Sequence, residues 1–185
     1  MIQRNNFSGI FQWNRVNKAN RPTERPGMAA VDWLLEAAAL LGILIFLGFV
    51  IYHYPRLPEV IPSHFNGAGL PDDYSSKSSI WFLTGIAVFI YVMLSLIVLI
   101  PHQFNYTVKI TQENALRQYT LAIRLVRYLK VAIIWLFFYI GYATIRVVAK
   151  LDSGLGIWFL PVVLAGMLVP VIIYLILANT RKIRP

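Results

Sequence analysis

"VDWLLEAAALLGILIFLGFVIYHY", Val31 to Tyr54, decides the fold. Beyond Glu36 it holds no charged side chain until Arg56, and a helix needs about 20 apolar residues to cross a hydrocarbon core about 30 Å thick. Three further runs meet that length: Ser79 to Pro101, Leu121 to Val148 and Gly156 to Ala178. Inside hydrocarbon a segment must satisfy its own backbone hydrogen bonds, and these runs are too long for barrel strands, so helices are the remaining solution. Composition agrees, with 58% hydrophobic residues and 14% charged, against roughly 25% charged in soluble domains. The expected fold is an all-α integral membrane protein with four transmembrane helices, a membrane domain over 28–185 behind a polar arm over 1–27.

Charge gives the orientation. Arg4, Arg15, Lys18, Arg21 and Arg25 precede the first helix, Lys109, Arg117, Arg124, Arg127 and Lys130 surround the start of the third, and Arg181, Lys182 and Arg184 end the chain. The other two connections hold Arg56 and Lys77, then Arg146 and Lys150. The positive-inside rule places both termini and the connection over 102–120 in the cytoplasm and the loop over 55–78 outside. The net charge of +9 is thereby absorbed as a topology signal, and no nucleic-acid motif accompanies it. The first thirty residues are polar and basic, so no cleavable signal peptide is expected and the first helix stays as an anchor. The absence of cysteine excludes disulfides and thiolate chemistry.

The arm has a pattern of its own. Phe7, Ile10 and Phe11 fall at i, i+3 and i+4 with Trp13 beyond, giving one aromatic face that suits either the headgroup layer or a partner subunit. After "RPTERPG" the first helix opens with Asp32 and Glu36 four residues apart. Carboxylates suit a helix N-terminus, but a like-charged pair on one face is unfavourable, so one of them is expected to meet a basic residue of the arm. The stretch "TQENALRQYTLAIRLVRYLK", Thr111 to Lys130, places Arg117, Arg124, Arg127 and Lys130 in one arc opposite an apolar one. It predicts an amphipathic cytoplasmic lead-in that lies along anionic headgroups before the third helix turns inward. Pro161 and Pro170 are expected to kink the fourth helix.

The spans offer little chemistry. Their deep polar groups are mainly Thr84, Tyr91, Ser95, Tyr139 and Thr144, whereas ion paths are marked by ionisable residues within the bilayer. His53 and His102 fall at opposite ends and cannot share a haem. His64 lies near Asn66, Asp72 and Asp73, in a spacing that fits no zinc or calcium pattern. No catalytic residue, metal or cofactor is expected; an enzyme would require His64 and Asp72 or Asp73 to converge in one pocket.

Those residues belong to "LPEVIPSHFNGAGLPDDYSSKSS", Leu57 to Ser79. Pro58 and Pro62 favour extended chain, Gly67 and Gly69 permit positive φ at a reversal, "LPDD" suggests a second turn, and Ser78 or Ser79 can cap the second helix. The stretch resembles the hallmark of a bacterial membrane domain of unknown function found at the N-terminal end of SdpI-type immunity proteins. The matching positions are Pro58 after Leu57, Pro62, His64, Phe65, Asn66, Gly69, Tyr74 and Lys77, with a looser second motif at Asn105, Glu113 and Asn114. The resemblance implies a multi-pass protein of the bacterial inner membrane with a role in immunity to, or sensing of, a membrane-active toxin. Function is therefore expected to be non-enzymatic interaction within the lipid bilayer, with a protein partner met through the arm or the outer loop. The alternative is an accessory subunit of a larger, energy-transducing membrane complex.

Overall fold

Prolines follow the ends of the first two helices. The structure, a computed structural model, describes residue 18 and residues 20–180. Helix α1 (Ala30–His53) begins just after Pro26 and Gly27 and passes into a short 3-10 turn at Tyr54–Arg56 that contains Pro55, whose missing N–H cannot continue the helical bonding. Helix α2 (Ser79–Ile97) gives way to a short 3-10 turn at Pro101–Gln103. Helix α3 (Ala115–Val148) and helix α4 (Phe159–Asn179) complete the set. All four are long and apolar enough to cross a membrane.

Two expectations need correction here. The lead-in to the third helix is not a separate surface helix: α3 runs unbroken for 34 residues, about 51 Å at 1.5 Å per residue, and the connection expected over 102–120 ends at Asn114. Pro161 falls in the first turn of α4, where its missing N–H would have lacked a partner anyway, so of the two prolines only Pro170 lies inside the helix.

The connection between α1 and α2 is a β-hairpin, so the chain is mostly helical rather than all-α. Strand β1 (Val60–Phe65) pairs antiparallel with β2 (Pro71–Ser76). Pro71 to Asp73 therefore extend a strand instead of forming a second turn. Ile61, on the inner side of β1, is buried with Leu57, Ile80 and Ile145 in the same core as Phe46, Val50 and Ile134. The hairpin is thus a plug in one end of the bundle.

Helices α1 and α3 form the main seam. Gly141 lets them close, because a Cβ there would stand 2.7 Å from the Phe46 ring; small residues at such crossings permit backbone approach in membrane bundles. Trp135 donates its indole N–H to the Ala38 carbonyl at 3.2 Å. Helix α4 touches α3 mainly near its two ends. Tyr139 stacks on Phe159 and donates to the Leu155 carbonyl at 2.8 Å, and at the other end Gln118 donates to the Ala178 carbonyl at 2.9 Å. Between them lies an apolar groove of about 650 Å³.

The end away from the hairpin, here the arm end, has its own small core of Val98, Ile110, Ala115, Tyr119 and Ile123. Arg21 is buried there, donating to the carbonyls of His102 and Phe104 at 3.0 and 2.7 Å, and the Tyr119 hydroxyl donates to the Pro22 carbonyl at 2.8 Å. Phe7, Ile10, Phe11 and Trp13 lie outside the described residues.

Candidate functional site

The hairpin is held at three points. At its base the Lys77 ammonium bonds Glu59 at 2.9 Å and sits 5.6 Å from the Tyr54 ring centre, while the Lys77 amide donates to the Glu59 carbonyl at 2.9 Å. The Glu59 carboxylate holds the Lys77 ammonium above the usual lysine range. At the tip the Asn66 side-chain oxygen accepts from the amides of Ala68 and Leu70 at 2.9 and 3.1 Å, and Gly69 adopts φ 77°. That positive φ is the reason for a glycine; Gly67, expected to share it, does not adopt it.

The third point was hidden from sequence. The Leu155 amide, in the connection between α3 and α4, donates to the Gly69 carbonyl at 2.7 Å. A Cβ on Gly154 would lie 2.0 Å from that carbonyl oxygen, so the two backbones meet where no side chain fits. Asp152, three residues before Leu155 and bonded to Arg146, steadies the same connection, and the guanidinium holds its carboxyl below the usual range.

Pinned on its inner side, the hairpin presents polar groups on the other. His64 Nδ1 lies 2.6 Å from Asp72 Oδ1, with the two side chains 66% and 42% exposed. The strand register opposes His64 to Asp73 and is irregular on both sides of His64, which leaves Ser63 without a partner in the manner of a bulge that re-aims its neighbour. Asp73 instead accepts from the Tyr74 amide at 2.9 Å, and Tyr74 is exposed. His64 and Asp72 do converge, but on open surface: the cavities of about 270 and 190 Å³ beneath the hairpin are lined by Ile61, Pro62, Phe65 and Asn66 among others, and by neither member of the pair. Among the described residues no group of three or more His, Cys, Asp or Glu is arranged to hold a metal ion.

The remaining motif residues divide. Pro58 is exposed and opens the hairpin's first leg, and Pro62 is buried opposite Tyr74. Asn114 locks the turn before α3, accepting from the Thr111 amide and donating to the Lys109 carbonyl, both at 2.9 Å. Asn105 and Glu113 are exposed. Ser78 flanks α2 without capping it; its hydroxyl donates to Ser76 at 3.2 Å.

At the arm end the basic arc of α3 meets α1 rather than the headgroups alone. Arg124 and Arg127 flank Asp32 at 3.1 and 3.0 Å, Arg127 reaches Glu36 at 2.9 Å, and Lys130 reaches Glu36 at 2.5 Å. Lys130 is completely buried and also donates to Ser95 at 2.9 Å, 5.2 Å from the Tyr91 ring centre. So among the described residues both acids meet bases of α3, and the bundle does contain a buried ionisable cluster, against the expectation of spans without one. The signal was present in the spacing. Two carboxylates four apart face three bases three apart, and their matching order along the two helices implies that these run parallel.

Compared with known proteins, the chain matches one family, described as a domain of unknown function (DUF1648), over residues 41–88. No curated protein and no solved structure matches it. The second motif at Asn105, Glu113 and Asn114 lies beyond the matched residues. What the likeness covers is the second half of α1, the whole hairpin and the first half of α2, which is the candidate site with the helical turns that carry it.

Proposed function

We propose that the protein is a non-enzymatic, multi-pass protein of the bacterial inner membrane that recognises a partner through its hairpin. In this reading both termini and the connection before α3 face the cytoplasm and the hairpin stands outside, a placement supported by the distribution of Lys and Arg. One observation carries the reading: the hairpin is fixed at base, tip and flank, yet its His64–Asp72 and Tyr74 surface stays open. A surface held this firmly loses little entropy when it binds. The resemblance to SdpI-type proteins supplies the partner class, a membrane-active toxin, and with it an immunity or sensor role.

The test is survival of cells challenged with such toxins while expressing the native chain or a His64→Ala, Asp72→Asn, Tyr74→Ser variant at equal membrane abundance. Protection by the native chain and its loss in the variant is the expected result; equal protection by both would remove the hairpin from the function. A second reading, an accessory subunit, is favoured by α4, which leaves most of its length to whatever surrounds the bundle. Gentle solubilisation and capture through a C-terminal tag decides it, because that reading requires large membrane proteins at a fixed ratio.

A further inference from the structure

The charges between α1 and α3 do not balance. Asp32 and Glu36 face Arg124, Arg127 and Lys130, which leaves one positive charge over. Both carboxylates are fully engaged: the Asp32 oxygens accept from Arg124 Nε and Nη2 and from the Ala29 amide, with Arg127 Nη1 3.0 Å away, and Glu36 is divided between Arg127 and Lys130. Arg124 Nη1 and Arg127 Nη2 take no part in these bonds. Lys130 is sealed in the interior, whereas the Arg124 side chain is 39% exposed.

Depth matters as much as charge. Asp32 is the third residue of α1, about 3 Å along the axis from its start, and its neighbour Trp33 is 63% exposed, as befits the headgroup level where tryptophans collect. An excess guanidinium at that level, oriented by a carboxylate behind it, has an N–H edge that no described residue takes up, of the shape that grips phosphate.

We propose that Arg124, with the less exposed Arg127 (12%) behind it, forms a binding edge for a phosphate group, presented either by a lipid headgroup or by free phosphate. The excess charge is its driving force and Asp32 and Glu36 are its supports. The edge is at the opposite end of the bundle from the hairpin and stands whether or not the hairpin binds a partner.

The experiment uses the full chain in a non-ionic detergent and follows its unfolding midpoint while phosphatidylglycerol, diacylglycerol with the same acyl chains, or inorganic phosphate is titrated in. Phosphatidylglycerol is expected to raise the midpoint and diacylglycerol to leave it unchanged. A rise with inorganic phosphate would identify the free ion as sufficient, and a rise with phosphatidylglycerol alone would identify the lipid. Arg124→Gln should weaken the half-saturating concentration about tenfold, the size of one lost charge-assisted contact, while Lys150→Gln at the hairpin end should not change it. Should Arg124→Gln fail to fold, Arg124→Lys keeps the charge on Asp32 and loses the fork, and it too should weaken binding. The proposal is overturned if no phosphate compound raises the midpoint, if diacylglycerol acts equally well, or if the folded Arg124 variant titrates as the native chain does.

Discussion

The two ends of the bundle hold their charges in opposite ways. At the hairpin end the pairs His64–Asp72, Lys77–Glu59 and Arg146–Asp152 all have at least one well-exposed member, and the structure there rests on backbone contacts at Asn66, Gly69 and Leu155. At the arm end Asp32 and Lys130 are buried, and the contact between α1 and α3 rests on them. Exposed pairs contribute about 0–1 kcal/mol, so residues at the hairpin end are free to vary with a partner. Breaking a buried pair is costly because a charge is stranded. One end is therefore suited to recognition, the other to holding the helices in register.

Stranding a charge should break this comparison most forcefully. Glu36→Gln leaves the Lys130 ammonium buried without the negative charge that faces it and is expected to cost about 3–5 kcal/mol, measured by denaturant unfolding in detergent. The double change Glu36→Gln with Lys130→Met should recover much of that loss, because both charges leave together. Next in size is Gly154→Ala, whose Cβ would collide with the Gly69 carbonyl. It should cost about 1–3 kcal/mol as overpacking, and faster hydrogen exchange at the Leu155 amide would show the hairpin lifting while the seam between α1 and α3 stays protected.

The smallest effect is a dependence on pH. The Asp152 carboxyl is held below its usual range by Arg146, so its contribution is present above about pH 4, the unfolded value, and is lost as pH falls through the lower folded value. Unfolding midpoints of the native chain should fall below about pH 4 relative to those of Asp152→Asn. Parallel curves for the two would place no weight on this pair.

The helices were legible because apolar length is a local property: the four observed spans begin and end close to the runs read from sequence, except at α3. There Arg124, Arg127 and Lys130 read as a surface arc, since their partners Asp32 and Glu36 lie about ninety residues earlier in the chain. The reversal at Asn66 to Gly69 was legible from glycine and proline. The strand pairing was not, because β2 is polar and mostly exposed and lacks the alternation that marks a half-buried strand. His64 and Asp72 were singled out together, but that they share an open face rather than a pocket depended on an irregular register no spacing reveals. The hook at Leu155 depended on two distant loops meeting.

That hook sets an order of assembly. The Gly69 carbonyl waits for an amide that is synthesised 86 residues later, which at typical elongation rates is roughly 4–17 s. Through that interval the hairpin has its clamp and its tip but no flank support, and a membrane already holding α1 and α2 must still receive α3 and α4. The last bond of the cap is thus a signal that α3 and the connection after it have arrived, and any partner that needs a rigid hairpin meets only molecules that have reached that stage.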